Sequence, residues 1–469
     1  MKLIKYLITL CLILNLNYSI DLPHQKLTYP ALTLNIPDVN KFSLQNGLKV
    51  YFLQDSSLPI IKMSLFVKGG SFIDNKQLTG LSSLLASIQR DGGNSKMTPS
   101  QLDQYLEERG ATISTNSGDM TNGASLKCLS ADLKDVMPLY VSTILHPKFN
   151  KARFQLQKKL LLESIRRQND EPKDVLRRKF TKLIYKSHKA GNTPNFKSIQ
   201  NIKLSHIKLA HSTRFIPNDA QLLVVGDITL KKLKALLNKS FSSWKPTSNS
   251  IKIDTTMKLD FKSEKVFIEM DTPQLNIRIG HKSLKISNPD YFPLLIADYI
   301  LGGGGFNSRL MQRVRTEMGL AYSIYSYIWG DVYYGSMGVY CGTKTSGAVD
   351  SISEILKQID KVRDEKVSQQ EFDLAKNSMI NQYVFKFSSK YQIINRILYF
   401  ERKNLPENFM QYYLDSLKKV TIEDVQVAAK KYWKPKSLKI LLVGKVSTIK
   451  KELETKFGKF TEQKLEKVQ

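Results

Sequence analysis

The alternation of apolar and polar positions divides the chain into short strand-like and helix-like segments that recur in one order. Residues 48–53 and 62–68 read as strands; in the second, Met63, Leu65 and Val67 fall on one face just before Gly69-Gly70. Residues 79–89 carry Leu81, Leu84, Leu85 and Ile88 at helical spacing, and 99–109 read as a further helix. Residues 112–129 predict a pair of strands around 116–123, with helices over 154–169 and 173–185. The order then repeats: 265–281 is strand-like, 291–300 and 308–318 are helical, 321–329 and 334–342 are strands, and helices follow to about residue 431.

A longer rhyme supports a duplication. LSHIKLAHSTRFIPNDAQLLVVGDI begins at Leu204 and VTIEDVQVAAKKYWKPKSLKILLVGK at Val420. Each is a helix-period segment, an aromatic residue and a proline, a polar turn, and a buried-strand run ending in Val-Gly. Gly226 and Gly444 stand 218 positions apart, a domain-sized period. The expected fold class is therefore α+β: two homologous domains, each an antiparallel-rich sheet packed with helices, at 38–244 and 259–450. The Lys/Ser/Thr/Pro-rich stretch 245–258 joins them, and 451–469 is a Lys/Glu-rich tail.

Composition adds three constraints. Hydrophobic residues make up 42% of 469 positions, enough for sizeable cores and incompatible with a disordered chain. Lys and Arg number 71 against 42 Asp and Glu, a formal net charge of +29, but only 15 of these cations are Arg. A nucleic-acid reader leans on the Arg fork, and no Arg–aromatic cluster or recognition motif is present, so no nucleic-acid partner is expected. At the start, MKLIKYLITLCLILNLNYS (1–19) has a short basic region and an apolar run too short to span a bilayer. It reads as a signal peptide for an exported, periplasmic or secreted protein, with an uncleaved anchor as the alternative. Beyond Cys11 only Cys128 and Cys341 remain, too few for a disulfide framework or a cysteine zinc site, and they read as core residues.

Several stretches carry a resemblance: LQNGLKV (44–50), residues 67–70, GLSSLLASI (80–88) and the 302–325 region. In these the chain resembles the pitrilysin/insulinase superfamily of zinc peptidases, in its two-domain processing-peptidase-like branch, over about residues 42–445. That resemblance implies an inverted His-x-x-Glu-His motif on the 79–89 helix, with two His binding zinc and the Glu acting as general base. Aligned on Gly80-Leu81, the three positions hold Ser83, Ala86 and Ser87. The family's third ligand, a Glu farther along, corresponds to Glu163. Hydroxyls do not replace imidazoles as zinc ligands and alanine takes no proton, so no metal is expected on this chain. None of the six His stand at i, i+4, which leaves no substitute pair.

The second half keeps what the first has lost. In LGGGGFNSRLMQRVRTEMGLAYSIYSYI, Asn307 or Ser308 can cap a helix to Met318, and Gly319 can stop it. The glycine run is not a P-loop, because no Lys-Ser/Thr follows. The resemblance implies that Arg315 and Tyr322, seven residues apart, bind substrate and stabilise the tetrahedral intermediate. A guanidinium and a phenol are both donors suited to an oxyanion. Without the resemblance, Arg315 would read as a surface ion pair and Tyr322 as a packed ring. It also implies that 111–116 (ATISTN) is the strand pairing with substrate, which places Ser114 and Thr115 there, although Thr/Ser replace the usual Asn-Ala. The expected function is a non-catalytic, substrate-binding subunit that supplies Arg315 and Tyr322 in trans to a zinc-bearing paralogue that hydrolyses peptides. The alternative is a peptide-binding or structural pseudo-peptidase with no part in catalysis.

Overall fold

The computed structural model describes residues 36–466 except 187, 249–250, 255–261 and 388. The signal-like segment 1–19 and parts of 245–258 and 451–469 lie outside the described residues. In the first half, strands β1 (Asn40–Ser43), β2 (Lys49–Gln54), β3 (Ile60–Lys68), β4 (Thr112–Ser117), β5 (Thr121–Leu129) and β6 (Ala220–Gly226) form one six-stranded sheet, ordered β1-β2-β6-β3-β5-β4. Helices α1 (Leu81–Asp91) and α2 (Pro99–Glu107) lie between β3 and β4. Between β5 and β6 come α3 (Leu133–Leu145), α4 (Lys151–Arg166), α5 (Pro172–Tyr185), α6 (Phe196–Asn201) and α7 (Leu204–Arg214), and α8 (Leu230–Ser240) follows β6.

The second half repeats the plan. Strands β7 (Glu264–Glu269), β8 (Gln274–Ser283), β9 (Ala321–Gly330), β10 (Gly335–Lys344), β11 (Lys439–Gly444) and β12 (Thr461–Glu462) are ordered β12-β7-β11-β8-β10-β9. Helix α9 (Tyr291–Asp298) precedes β9. Helices α10 (Ala348–Asp364), α11 (Gln369–Phe385), α12 (Lys390–Arg402), α13 (Phe409–Lys419) and α14 (Ile422–Tyr432) separate β10 from β11, and α15 (Lys450–Phe457) precedes β12. In both sheets a parallel pair (β2 with β6, β7 with β11) sits beside an antiparallel set, and β12 adds a second parallel pairing on β7.

The two Val-Gly runs are the equivalent strands β6 and β11. Every residue of each is buried, which explains their unbroken apolar sequence. Gly226 and Gly444 end them in matching backbone conformations, φ +153° and +147°. A Cβ on Gly226 would stand 2.2 Å from the Ile60 carbonyl, and one on Gly444 would stand 2.7 Å from Leu275 Cδ1. Backbone excludes a side chain at Gly226, and at Gly444 one would have to displace Leu275 in a conformation that favours glycine.

The halves are held together by an exchange of equivalent helices. Along β6, Leu222 and Val224 face the core built with α1, α3, α4 and α7, whereas Leu223 and Val225 pack with Ile394 and Leu398 of α12 from the second half. Conversely, Val175, Leu176, Phe180 and Ile184 of α5 pack with Leu441 and Val443 of β11. Each such aliphatic side chain contributes about 1.5–3 kcal/mol through burial. Polar contacts cross the same boundary: the Tyr51 hydroxyl bonds Glu401, Ser64 and Tyr391 share a 2.7 Å bond, and the Tyr334 hydroxyl donates to Asp119 at 2.6 Å.

Three segments differ from the sequence reading. Residues 265–281 form two strands rather than one, because Pro273 lacks an N–H and the chain turns there, which lets β7 and β8 flank β11 on opposite sides. The 308–318 helix is largely a π-helix, Met311–Glu317. Residues read as a Lys/Glu-rich tail hold α15 and β12, the latter pairing with β7. Cys128 and Cys341 are buried free thiols on the equivalent strands β5 and β10, and burial pushes both up to about 12. Among the described residues no helix is long and apolar enough to cross a membrane.

Candidate functional site

Helix α1 forms because its apolar stripe, Leu81, Leu84, Leu85 and Ile88, enters the first-half core. Its start is fixed from a distance. Gly80 at the cap has no side chain, and Asp74 takes the capping role instead, its Oδ2 accepting the Ser82 amide at 2.9 Å. Asp74 Oδ1 accepts the Ser82 hydroxyl at 2.7 Å and pairs with Arg214 Nη2 at 3.0 Å, while Arg214 Nη1 donates to Ser82 Oγ at 2.7 Å. All three residues are buried. Spacing along the chain gives no hint of this network, whose partners are 132 positions apart at Ser82 and Arg214.

On this helix Ser83 is exposed, Ala86 buried and Ser87 half-buried, with the Ser87 hydroxyl turned back to donate to the Ser83 carbonyl at 3.2 Å. Glu163 lies on α4, which packs against α1, and its carboxylate is bound by Arg166 one turn on. Thr115 of the edge strand β4 donates its hydroxyl to the Ala86 carbonyl at 2.6 Å, and Ser114 beside it is exposed. The structure therefore brings Ala86 and Thr115 into contact and sets Glu163 on the adjoining helix. Two hydroxyls, a methyl and a carboxylate already held by a guanidinium do not fit zinc, which takes imidazole, thiolate or free carboxylate donors. Among the described residues, no group of three or more His, Cys, Asp and Glu is placed to hold a metal ion.

The second-half counterpart is built differently. Ser308 takes the extended cap conformation, but its hydroxyl donates backwards to the Gly305 carbonyl at 2.7 Å. The chain then widens into the π-helix and ends at Gly319, φ +63°. Three arginines project from this segment. Arg309 makes a two-pronged pair with Glu371 at 2.7 and 2.9 Å and holds that carboxyl down at about 2. Arg313 pairs with Glu317 and Glu354. Arg315 has no carboxylate partner among the described residues; it reaches Met311 Sδ at 3.8 Å and lies over the Phe306 ring.

Tyr322, second residue of the edge strand β9, is 53% exposed, and Phe306 is 71% exposed. Arg315 is thus not spent in an ion pair, nor Tyr322 packed into the sheet. The π-helix that carries Arg315 packs against β9, which carries Tyr322. The contacts of Arg315 all come from that half, and none reaches Ser83, Ala86, Ser87 or Glu163.

Asp298, at the end of α9, is a group that sequence reasoning missed. It is buried, its Oδ1 has no hydrogen-bond partner, and burial pushes its carboxyl up to about 7. A polar residue on an otherwise apolar helix (YFPLLIAD) was the available signal.

Comparison with known proteins agrees with this architecture. The family model described as "Insulinase (Peptidase family M16)" matches residues 49–194, and "Peptidase M16 inactive domain" matches 201–379. The chain is 25% identical over 394 residues to the "Non-peptidase homolog YmxG" of Helicobacter pylori, covering 81% of this chain and 88% of that protein. The crystal structure of a peptidase M16 inactive domain from Pseudomonas fluorescens superposes with a TM-score of 0.78 at 22% identity, covering 92% of this chain and all of that one. The periplasmic protease PqqL of Escherichia coli gives a TM-score of 0.74 at 16% identity, over 88% of this chain and 46% of that one. With both halves matched in order and the paired six-stranded sheets recurring, the chain belongs to the insulinase family of peptidases, family M16.

Proposed function

We propose that the protein is a non-catalytic, substrate-binding subunit of an M16 zinc metallopeptidase and that it lends Arg315 and Tyr322 to the active site of a zinc-bearing paralogous chain. The observation that carries this reading is the contrast between Arg315 and its neighbours. Of three arginines on one helical segment, Arg309 and Arg313 are neutralised by carboxylates, whereas Arg315 is left exposed, as is Tyr322. A donor pair kept free at a surface suits an oxyanion presented by another molecule. On the opposite side of the ledger, the α1 positions hold no zinc ligands, so zinc and the general base would come from the partner. The name "non-peptidase homolog" carried by the Helicobacter pylori relative is in keeping with this division of labour.

The 1–19 segment and the periplasmic relative support assembly outside the cytoplasm. The peptide would lie along the exposed edge of β4 near Ser114 and Thr115, with main-chain pairing giving little sequence preference. The test is co-purification from the native host with zinc assayed on each chain. The reading expects zinc-dependent peptidase activity only when a second, zinc-bearing chain is present. Stoichiometric zinc and activity on this chain alone would overturn it. Peptide binding with no second chain and no hydrolysis would replace it with the pseudo-peptidase alternative.

A further inference from the structure

Next to the Asp74 network, a cleft of about 410 Å³ opens between the start of α1, helix α5, the 189–195 turn and residue 466. That is the size of a small-molecule site. Six cations line it, Lys76, Arg178, Lys179, Lys182, Lys186 and Lys189, against two carboxylates, Asp74 and Glu466. Asp74 is already committed to Arg214, and Lys186 to Glu264 at 2.6 Å. Arg178 is held by the Gln168 carbonyl and Asn169 Oδ1, neither of them charged.

Lys76, Lys179, Lys182 and Lys189 have no carboxylate partner among the described residues. Lys179 is the telling member: only 9% exposed, it has no ion pair, and burial lowers its ammonium below the ordinary lysine range. Its ammonium faces Arg178 and Lys182 on one side and Glu466 on the other, so the cleft carries an excess of positive charge that a bound anion would neutralise.

We propose that this cleft is a binding site for a small, multiply charged phosphate anion, with Lys179 at its floor and Lys76, Lys182 and Lys189 around it. Compact charge decides the class. Ammonium groups act as point charges well matched to phosphoryl oxygens. The carboxylates of an acidic peptide are spread at about 3.3–3.6 Å per residue and cannot concentrate as much charge in this volume. Asn192 and Asn195, which also line the cleft, carry amide groups that can add neutral donors. The site is independent of the partnership proposed above, since none of its residues belongs to that surface.

The test is calorimetric titration of the full chain with inorganic tripolyphosphate at low and at physiological salt. One saturable site is expected, weakening as salt rises. Lys179→Met should weaken binding about tenfold or more, the usual cost of losing one charge-assisted contact. Glu466→Gln, which removes the competing carboxylate, should tighten it. Lys232→Gln, an exposed lysine on α8, should leave it unchanged. Lys179→Met keeps the buried apolar stem and removes only the ammonium, and thermal melts of parent and variant run beside the titration separate loss of binding from unfolding. No saturable binding, equal weakening by Lys232→Gln, or equally tight binding of citrate or hexaglutamate with the same sensitivity to Lys179→Met would each overturn the proposal.

Discussion

Helices α1 and α9 occupy equivalent places in the two halves, yet their polar groups are treated in opposite ways. Around α1 the charges named above are answered: buried Asp74 meets Arg214 and Ser82, and the partly exposed Glu163 on the neighbouring helix meets Arg166. Around α9 and the π-helix beyond it, among the described residues, buried Asp298 meets no cation and exposed Arg315 no anion. The first region has become structural, its polar atoms spent on holding α1 in place. The second leaves one carboxyl oxygen of Asp298 unpaired inside the fold and one guanidinium, that of Arg315, open to solvent.

This contrast can be broken at four points. Arg214→Met should be the most damaging change, losing about 3–5 kcal/mol because it strands Asp74 as a buried unpaired charge; denaturant unfolding measures it. Arg315→Ala should leave the fold and the assembly intact but lower turnover of the complex by about 10²–10³, the cost of one missing oxyanion donor. Unchanged turnover in an assembled complex would remove Arg315 from the site. Asp298 supplies a pH signature. Its carboxyl is raised from 3.8 to about 7, so the folded state holds a proton that the unfolded state has released. Stability from this group is therefore full below about pH 4 and declines as pH rises towards 7, with a slope of up to about 1.4 kcal/mol per pH unit. Thermal melts across that range should show the decline, and Asp298→Asn should flatten it. The smallest effect is Thr115→Val, which removes the bond to the Ala86 carbonyl and should cost about 1 kcal/mol.

Much of the architecture was legible because it is written in local periodicity. The Val225-Gly226 and Val443-Gly444 runs identified equivalent strands, since a strand buried on both faces must be apolar throughout. The α1 stripe and the 112–129 hairpin were visible for the same reason. What periodicity cannot encode is which distant surface a face will meet. Val175, Leu176, Phe180 and Ile184 announce a helix with an apolar side, but nothing in that pattern says that the side rests on Leu441 and Val443. The Asp74–Arg214 pair was hidden similarly, as two ordinary charged residues far apart in sequence. The π-helix escaped because a helical hydrophobic pattern does not distinguish its turns from those of an α-helix. At the site, Ser83, Ala86 and Ser87 could be read as unsuited to zinc from chemistry alone. The freedom of Arg315 could not, because it depends on Glu317, Glu354 and Glu371 choosing its neighbours.

The exchange of α5 and α12 makes each half a co-template for the other. Neither sheet has its second face covered until the opposite half of the chain has been made, so the first half emerging during synthesis exposes Leu223 and Val225 until Ile394 and Leu398 arrive. The two polypeptides produced by a break between Trp244 and Glu264 would each lack a wall, yet together would still possess every contact that closes both. An interlocked particle of this kind tolerates a cut in the chain better than the loss of either piece.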